Sequence, residues 1–230
     1  MKLLWIIKEK EMRKKLLITV MVLVGLLGSS LRAGEDEVLV KITEDIPYLY
    51  VNHMGQKVKV ARIQDTTNRL TDDYTKTSRS CPPFCIHPTQ VNKNIKTIAE
   101  VEMANFLKEK VNSGKGLVID ARLKSWYELE TIPSAINIPY SVMESGDKKM
   151  ISKVFRLLGM KVAKDGSWDF SKAKELAVFC NGVWCDQSHR LIDGMLKYGY
   201  PAEKMYYYRS GFQGWKLLGL TTVVQKENVK

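Results

Sequence analysis

The 230-residue sequence has only four cysteines, three histidines and seven prolines, and the first of these shortages excludes the most. Four cysteines (Cys81, Cys85, Cys180, Cys185) are too few for a dense disulfide scaffold. Two close pairs, with 95 positions from Cys85 to Cys180, lack the spacing of a zinc ribbon, so no metal centre and no cofactor is expected. No cluster of Lys and Arg with interleaved aromatics is present, which excludes a nucleic-acid partner. The uncharged apolar run Leu16 to Gly28 has 13 residues, short of the roughly 20 that about 30 Å of hydrocarbon asks of a helix. No cysteine follows that run, which removes a lipidated N-terminus.

What is there describes a globular protein. Apolar residues make up 45% and charged residues 27%, enough for one large domain or an ordinary domain with a smaller one. Seven basic and two acidic side chains lie in residues 1–33, so that segment carries +5 of the net +11. The remaining +6 suits a modest pull on small anions. Met12-Arg13-Lys14-Lys15, the apolar run and Ser29 to Ala33 read as an export leader over 1–33, with Met12 an alternative start. The protein is then periplasmic or otherwise exported, and touches a membrane only through the leader if that stays uncleaved. Disulfides form in such a compartment.

Beyond the leader, Val38 to Ile42 reads as a strand, and Tyr48 to Ile63 alternates around a Gly55 turn as a hairpin. Asp65 to Ser80 is polar and without period, a loop that ends in Cys81-Pro82-Pro83-Phe84-Cys85. Residues 34–92 are expected to form a small β-rich N-terminal unit. After them the pattern changes. Thr97 to Val111, Met150 to Met160, Ser188 to Tyr198 and Phe212 to Leu218 have helical spacing. Leu117 to Asp120, Ala135 to Pro139, Leu176 to Cys180 and Met205 to Tyr208 are short apolar strands between them. Strands separated by helices predict an α/β fold over 93–230, a mainly parallel sheet with helices on both faces.

Ligands of such sheets bind at the carboxyl ends of the strands. Those ends are Asp120-Ala121-Arg122, Cys180-Asn181-Gly182 and Arg209-Ser210-Gly211. A cysteine at a strand end, before a Gly-containing loop and a helix start, is placed to be held as a thiolate. An inert buried thiol fits the same position. His53 in its turn, His87 beside the first cysteine pair and His189 at a helix start read as surface or capping residues. Trp126, Trp184 and Trp215 are candidates to line the cleft.

Together these residues resemble the rhodanese domain. Leu117 to Arg122, Tyr127, and Ile132-Pro133-Ser134-Ala135-Ile136-Asn137-Ile138-Pro139 are similar to its first half. Phe179-Cys180 and its loop resemble the active-site strand and loop, and Tyr208 to Trp215 the closing segment. The resemblance implies a sulfurtransferase in which Cys180 takes sulfur from a small anionic donor such as thiosulfate and passes the persulfide to a thiol or cyanide acceptor. It implies that the backbone of Asn181, Gly182, Val183 and Trp184 holds the persulfide. Asp120 and Arg122 match the family's charged rim, and Arg209, at the third strand end, is a further substrate-binding candidate. The sequence departs from the family at Cys185, a position often basic or hydroxylic there. A thiol at that place could attack a Cys180 persulfide, expel sulfide and close a disulfide. Ser78 to Cys85 resembles a stretch of exported bacterial rhodanese-like proteins with an N-terminal extension. For Cys81 and Cys85 a local disulfide, a redox pair and a metal clip stay open. Two other functions compete with sulfur transfer: a thiol–disulfide protein using either cysteine pair, and a non-catalytic module that binds a sulfur species or a partner.

Overall fold

A computed structural model describes residues 38–225. The leader expected over 1–33 lies outside the described residues. From Leu39 onward the described residues belong to one compact unit.

The chain opens with the antiparallel hairpin β1 (Tyr48–His53) and β2 (Gln56–Ala61), paired from Tyr48↔Ala61 to His53↔Gln56. Gly55, at a φ of 85°, makes the tight turn without the cost a side chain would meet there. Val38 to Ile42 is not a strand. The Val40 backbone is bonded on both its N–H and C=O by the Gln64 side-chain amide, and the N–H groups of Ile42 and Thr43 turn back onto the Ile46 carbonyl. These bonds replace a ladder partner.

The main sheet begins at β3 (Lys96–Ile98), which overlaps the start of the stretch Thr97 to Val111 expected as one long helix. The helix proper, α1 (Glu100–Phe106), starts where the Glu102 carboxylate accepts from the Ala99 N–H, and widens into a π turn over Leu107–Val111. Then come β4 (Gly116–Asp120), α2 (Lys124–Leu129), β5 (Ala135–Asn137), α3 (Ser141–Glu144) and α4 (Lys148–Leu157). A two-residue hairpin, β6 (Lys161–Val162) with β7 (Trp168–Asp169), precedes β8 (Glu175–Phe179). The chain ends with α5 (Gln187–Lys197), β9 (Met205–Tyr208) and α6 (Gly211–Leu217).

Five strands lie in the order β3-β9-β8-β4-β5, and every pairing among them is parallel. Side chains alternate across the sheet, as a period of two requires. Val118, Ala177, Phe179 and Tyr208 face a layer with Leu49, Val51, Val60, Met103, Phe212 and Trp215. Ile119, Leu176, Val178 and Tyr207 face Ile151, Phe155, Leu191, Ile192 and Met195 of α4 and α5. The sheet is therefore a two-sided core, and burying each large apolar side chain contributes about 1.5–3 kcal/mol. The hairpin side chains share the first of these layers with α1 and α6. All five parallel strands point their carboxyl ends to one edge, and β8 is central there.

Candidate active site

Cys180 follows β8 directly and is 2% exposed. The loop after it runs to Gln187, where α5 starts. Its backbone is fixed from α6. The Phe212 N–H donates to the Cys180 carbonyl at 2.9 Å, and the Gln213 N–H to the Asn181 carbonyl at 2.8 Å. Gly211 makes this approach feasible. It holds a φ of 58°, and a Cβ there would lie 2.5 Å from the Cys180 carbonyl oxygen and 2.8 Å from the Gly182 nitrogen. Within the loop, the Cys185 N–H donates to the Gly182 carbonyl at 3.0 Å. Trp184 Nε1 donates to Gln213 Oε1 at 2.7 Å.

The two thiols of the loop are both free and both buried. As a thiol, Cys180 donates to the Cys185 carbonyl at 3.1 Å, and its sulfur lies 3.1 Å from the Ser188 hydroxyl. Burial by itself would raise the Cys180 pKa. Hydrogen bonds from the Cys185 thiol, from the Ser188 hydroxyl and N–H and from the Gly182 N–H outweigh it, so this thiol titrates below its ordinary value. Cys185 goes the other way. Its hydrogen bond to Cys180, its burial and the Cys180 charge all hold its proton well above the usual thiol range. The pair therefore has a built-in order of ionisation, with Cys180 first.

Asp120 and Arg122, at the end of β4, are 0% and 1% exposed. The guanidinium is bidentate to the carboxylate, with Nη2 2.7 Å from Asp120 Oδ2. Thr131 donates to the same carboxylate oxygen, and the Glu130 carbonyl accepts from Arg122 Nη2. Arg122 Nη1 donates at 3.1 Å to the Tyr74 hydroxyl, and its plane lies 4.2 Å from the Phe212 ring centroid. The charges anticipated for the rim thus bond each other beneath the surface. Arg209, after β9, donates through Nη2 to the His87 carbonyl at 3.1 Å.

The segment before the sheet supplies residues that the sequence reading did not place here. Tyr74 is buried, in a 3₁₀ turn at Asp73–Thr75. Arg79 lies 4.0 Å from the Trp184 ring centroid and Phe84 packs edge-on against the same ring at 5.7 Å. The His87 N–H donates to the Val183 carbonyl at 2.9 Å. Cys81 and Cys85 are joined as a disulfide with a Cα separation of 4.6 Å. A groove of about 770 Å³ runs between this segment and the loop, lined by Tyr74, Arg79, Phe84, Val183, Trp184 and Gln213 among others.

His53 is buried, whereas His87 and His189 are half-buried. The rings of His87 and His189 lie 5.0 Å apart, and His189 sits 4.9 Å from Tyr207. Burial, then the charge of His87, pushes the His189 pKa down; Asp193 and Asp186 pull the other way, and Arg209 adds a smaller downward push. His53 accepts from the Ser134 N–H through Nδ1 at 3.1 Å. Of the three tryptophans, Trp184 lines the groove, Trp126 borders a smaller pocket beside Arg122 and Trp215 is core. Among the described residues no three His, Cys, Asp or Glu side chains converge as metal ligands. A polar, aperiodic segment carries no signal for Tyr74 or His87. Ser188, which the sequence marked only as the beginning of a helix, was missed as a partner of Cys180.

A five-stranded parallel sheet with a cysteine at the mouth of its central strand, cradled by a loop and the next helix, defines the class. Residues 103–218, half of the sequence, match the rhodanese-like domain, and the chain belongs to that family. No curated protein matches it. Among solved structures, the thiosulfate sulfurtransferase from Pseudomonas aeruginosa is 18% identical over 60% of this chain, with a TM-score of 0.41. This chain spans only 22% of that protein's length. The BH2092 protein from Bacillus halodurans is 16% identical over 56% of this chain and 77% of its own, at a TM-score of 0.41. For the human single-domain sulfurtransferase TSTD1 the identity is 21% over 52% and 94%, at 0.38.

Proposed function

We propose that the chain is a sulfurtransferase with Cys180 as its nucleophile. The observation that carries this reading is the placement of Cys180, a free thiol at the end of the central strand with the Ser188 hydroxyl 3.1 Å from its sulfur. Of the two loop thiols, Cys180 is the one whose hydrogen-bond partners favour the anion, and a thiolate is the form that attacks sulfur.

The Cys180 thiolate attacks the outer sulfur of a donor such as thiosulfate. The donor's S–S bond breaks, sulfite leaves with the bonding pair, and the outer sulfur stays on Cys180 as a persulfide anion. An acceptor thiolate, or cyanide, then attacks that sulfur and Cys180 departs as thiolate. Charge balances in both steps, and no outside oxidant is required. The N–H groups of Asn181, Gly182, Val183 and Trp184 are the donors assigned to the persulfide, an anion that a ring of backbone amides suits. Arg209 is the cation we assign to attracting the donor. The paired Asp120 and Arg122 take a supporting part behind the loop. An exported location is part of the proposal, resting on the leader-like segment and on the Cys81–Cys85 disulfide, which an oxidising compartment maintains.

The hydrogen bond between the Cys185 and Cys180 thiols favours a second reading, thiol–disulfide exchange within this pair. One measurement separates the two. Intact-mass spectrometry with thiosulfate is expected to show a gain of about 32 Da, one sulfur atom, on Cys180. The gain disappears in Cys180→Ala. A protein that gains no sulfur but loses two hydrogens across Cys180 and Cys185 on mild oxidation would overturn sulfur transfer in favour of the second reading.

A further inference from the structure

Tyr74 belongs to no part of the matched family region, yet its hydroxyl joins the two halves of the site. Its backbone is set by Asp72, whose side chain accepts from the Tyr74 N–H at 3.0 Å, and by Gln213, which donates to the Tyr74 carbonyl at 2.8 Å. The ring stands edge-on to Phe212 at 5.4 Å and to Trp126 at 6.4 Å. From this seat the hydroxyl touches Arg122 Nη1 at 3.1 Å and Asn181 Oδ1 at 2.8 Å.

The direction of every proton along this line follows from donor chemistry. A guanidinium has donors and no acceptor, so Arg122 gives and the phenol oxygen receives. The phenol has a single proton, which goes to Asn181, and the atom that accepts it is the amide oxygen. The Asn181 amide is thereby fixed in orientation, with Nδ2 turned toward Cys185 Sγ at 3.9 Å. An NH₂ group can only donate, so Cys185 sulfur is the acceptor there. Its own proton is left to point at Cys180. Burial, above all, keeps the Tyr74 proton in place far beyond neutral pH. From Arg122, which Asp120 holds in place, each group donates to the next through Tyr74, Asn181 and Cys185, and the last acceptor is the sulfur of Cys180, the thiol assigned as nucleophile.

We propose that Tyr74 is a positioning residue for the thiol pair: by locking the Asn181 amide it makes Cys185 the proton holder and Cys180 the thiol that ionises. The inference rests on Cys180 being the reactive thiol of the pair. The other groups facing the two sulfurs are Ser188 from α5 and Tyr207 from β9, with Arg209 close to Tyr207. The Tyr74 hydroxyl bonds none of these; its partners are Arg122 and Asn181.

The test is the pH dependence of alkylation by iodoacetamide, resolved by peptide mass mapping into Cys180 and Cys185, in the full chain. Tyr74→Phe keeps the ring against Phe212 and Trp126 and deletes only the hydroxyl. We expect the Cys180 midpoint to move up in pH, its rate at neutral pH to fall about three- to tenfold (the effect of one buried hydrogen bond), and its preference over Cys185 to narrow. Asn181→Ala cuts the next link and should match Tyr74→Phe, and the double variant should be no worse than either single one. A Tyr74→Phe protein with unchanged midpoint and unchanged preference overturns the proposal, as does full additivity in the double variant. If Tyr74→Phe fails to fold, Asn181→Ala decides alone: an unshifted Cys180 midpoint there also overturns it. The persulfide assay on the wild type separates this outcome from the functional reading. Sulfur gain with unmoved labelling removes Tyr74 alone, whereas shifted labelling with no sulfur gain leaves Tyr74 in place and removes sulfur transfer.

Discussion

Replacing Gly211 by alanine probes how tightly the loop after Cys180 is held. The new Cβ would lie 2.5 Å from the Cys180 carbonyl oxygen, 2.8 Å from the Gly182 nitrogen and 3.0 Å from the Asn181 carbonyl carbon. All three are backbone atoms, so no side chain can swing aside and the loop must move by the better part of an ångström. Holding a φ of 58° with a side chain costs about 1–2 kcal/mol. The shift also stretches the bonds from Phe212 and Gln213 to the loop carbonyls, each worth about 0.5–1.5 kcal/mol. The loss should total about 2–5 kcal/mol in urea or thermal denaturation. Sulfur loading of Cys180 should fall further, by about a hundredfold, because displacing a reacting group by an ångström has that effect. Gly146→Ala is the matched control. Its φ of 69° brings the same backbone strain, but nothing lies within 4 Å of its Cβ. That variant should lose about 1–2 kcal/mol and load sulfur as the wild type does. If Gly211→Ala is no less stable than Gly146→Ala and loads equally fast, the loop is not clamped by α6 and the reasoning fails.

Two further outcomes follow from the buried charges. Arg122→Leu leaves the Asp120 carboxylate uncompensated at 0% exposure, so denaturation should show a loss of about 3–5 kcal/mol, and a loss below about 1 kcal/mol would mean the pair is solvated. Burial lowers the pKa of His53 and His189 from 6.5, so the unfolded chain takes up protons first as pH falls. Stability is complete above that value and declines as pH drops through and below it; denaturation midpoints at about pH 7 and pH 5 check the sign, and a higher midpoint at pH 5 would refute it.

Much of this molecule was written in local pattern. Glu175 to Phe179 and Met205 to Tyr208 form strands because buried parallel strands are short, apolar and bounded by polar turns, and these segments show all three traits. Cys180 was legible for the same reason, as the residue where such a run stops. β3 was not, since its three residues begin Lys96-Thr97 and only pairing with Tyr206 to Tyr208 makes them a strand. Arg122 could be read as a charge at a strand end, but its inward turn depends on Thr131 and the Glu130 carbonyl. Tyr74 has partners 48 and 107 positions away, and no window of sequence contains that information. Tertiary context, absent from any local period, decided these three.

The hairpin and the disulfide-closed segment lie ahead of residue 103, where the family match begins. Leu49, Val51 and Val60 nevertheless help fill the layer under α6, and the Tyr74 hydroxyl gives Arg122 Nη1 an acceptor. A fragment trimmed to the matched residues 103–218 would bare that apolar layer and strand a buried cation's donor. The matched domain and the packed unit are therefore of different size in this protein, and the larger of the two is the one that holds the Cys180 loop in place.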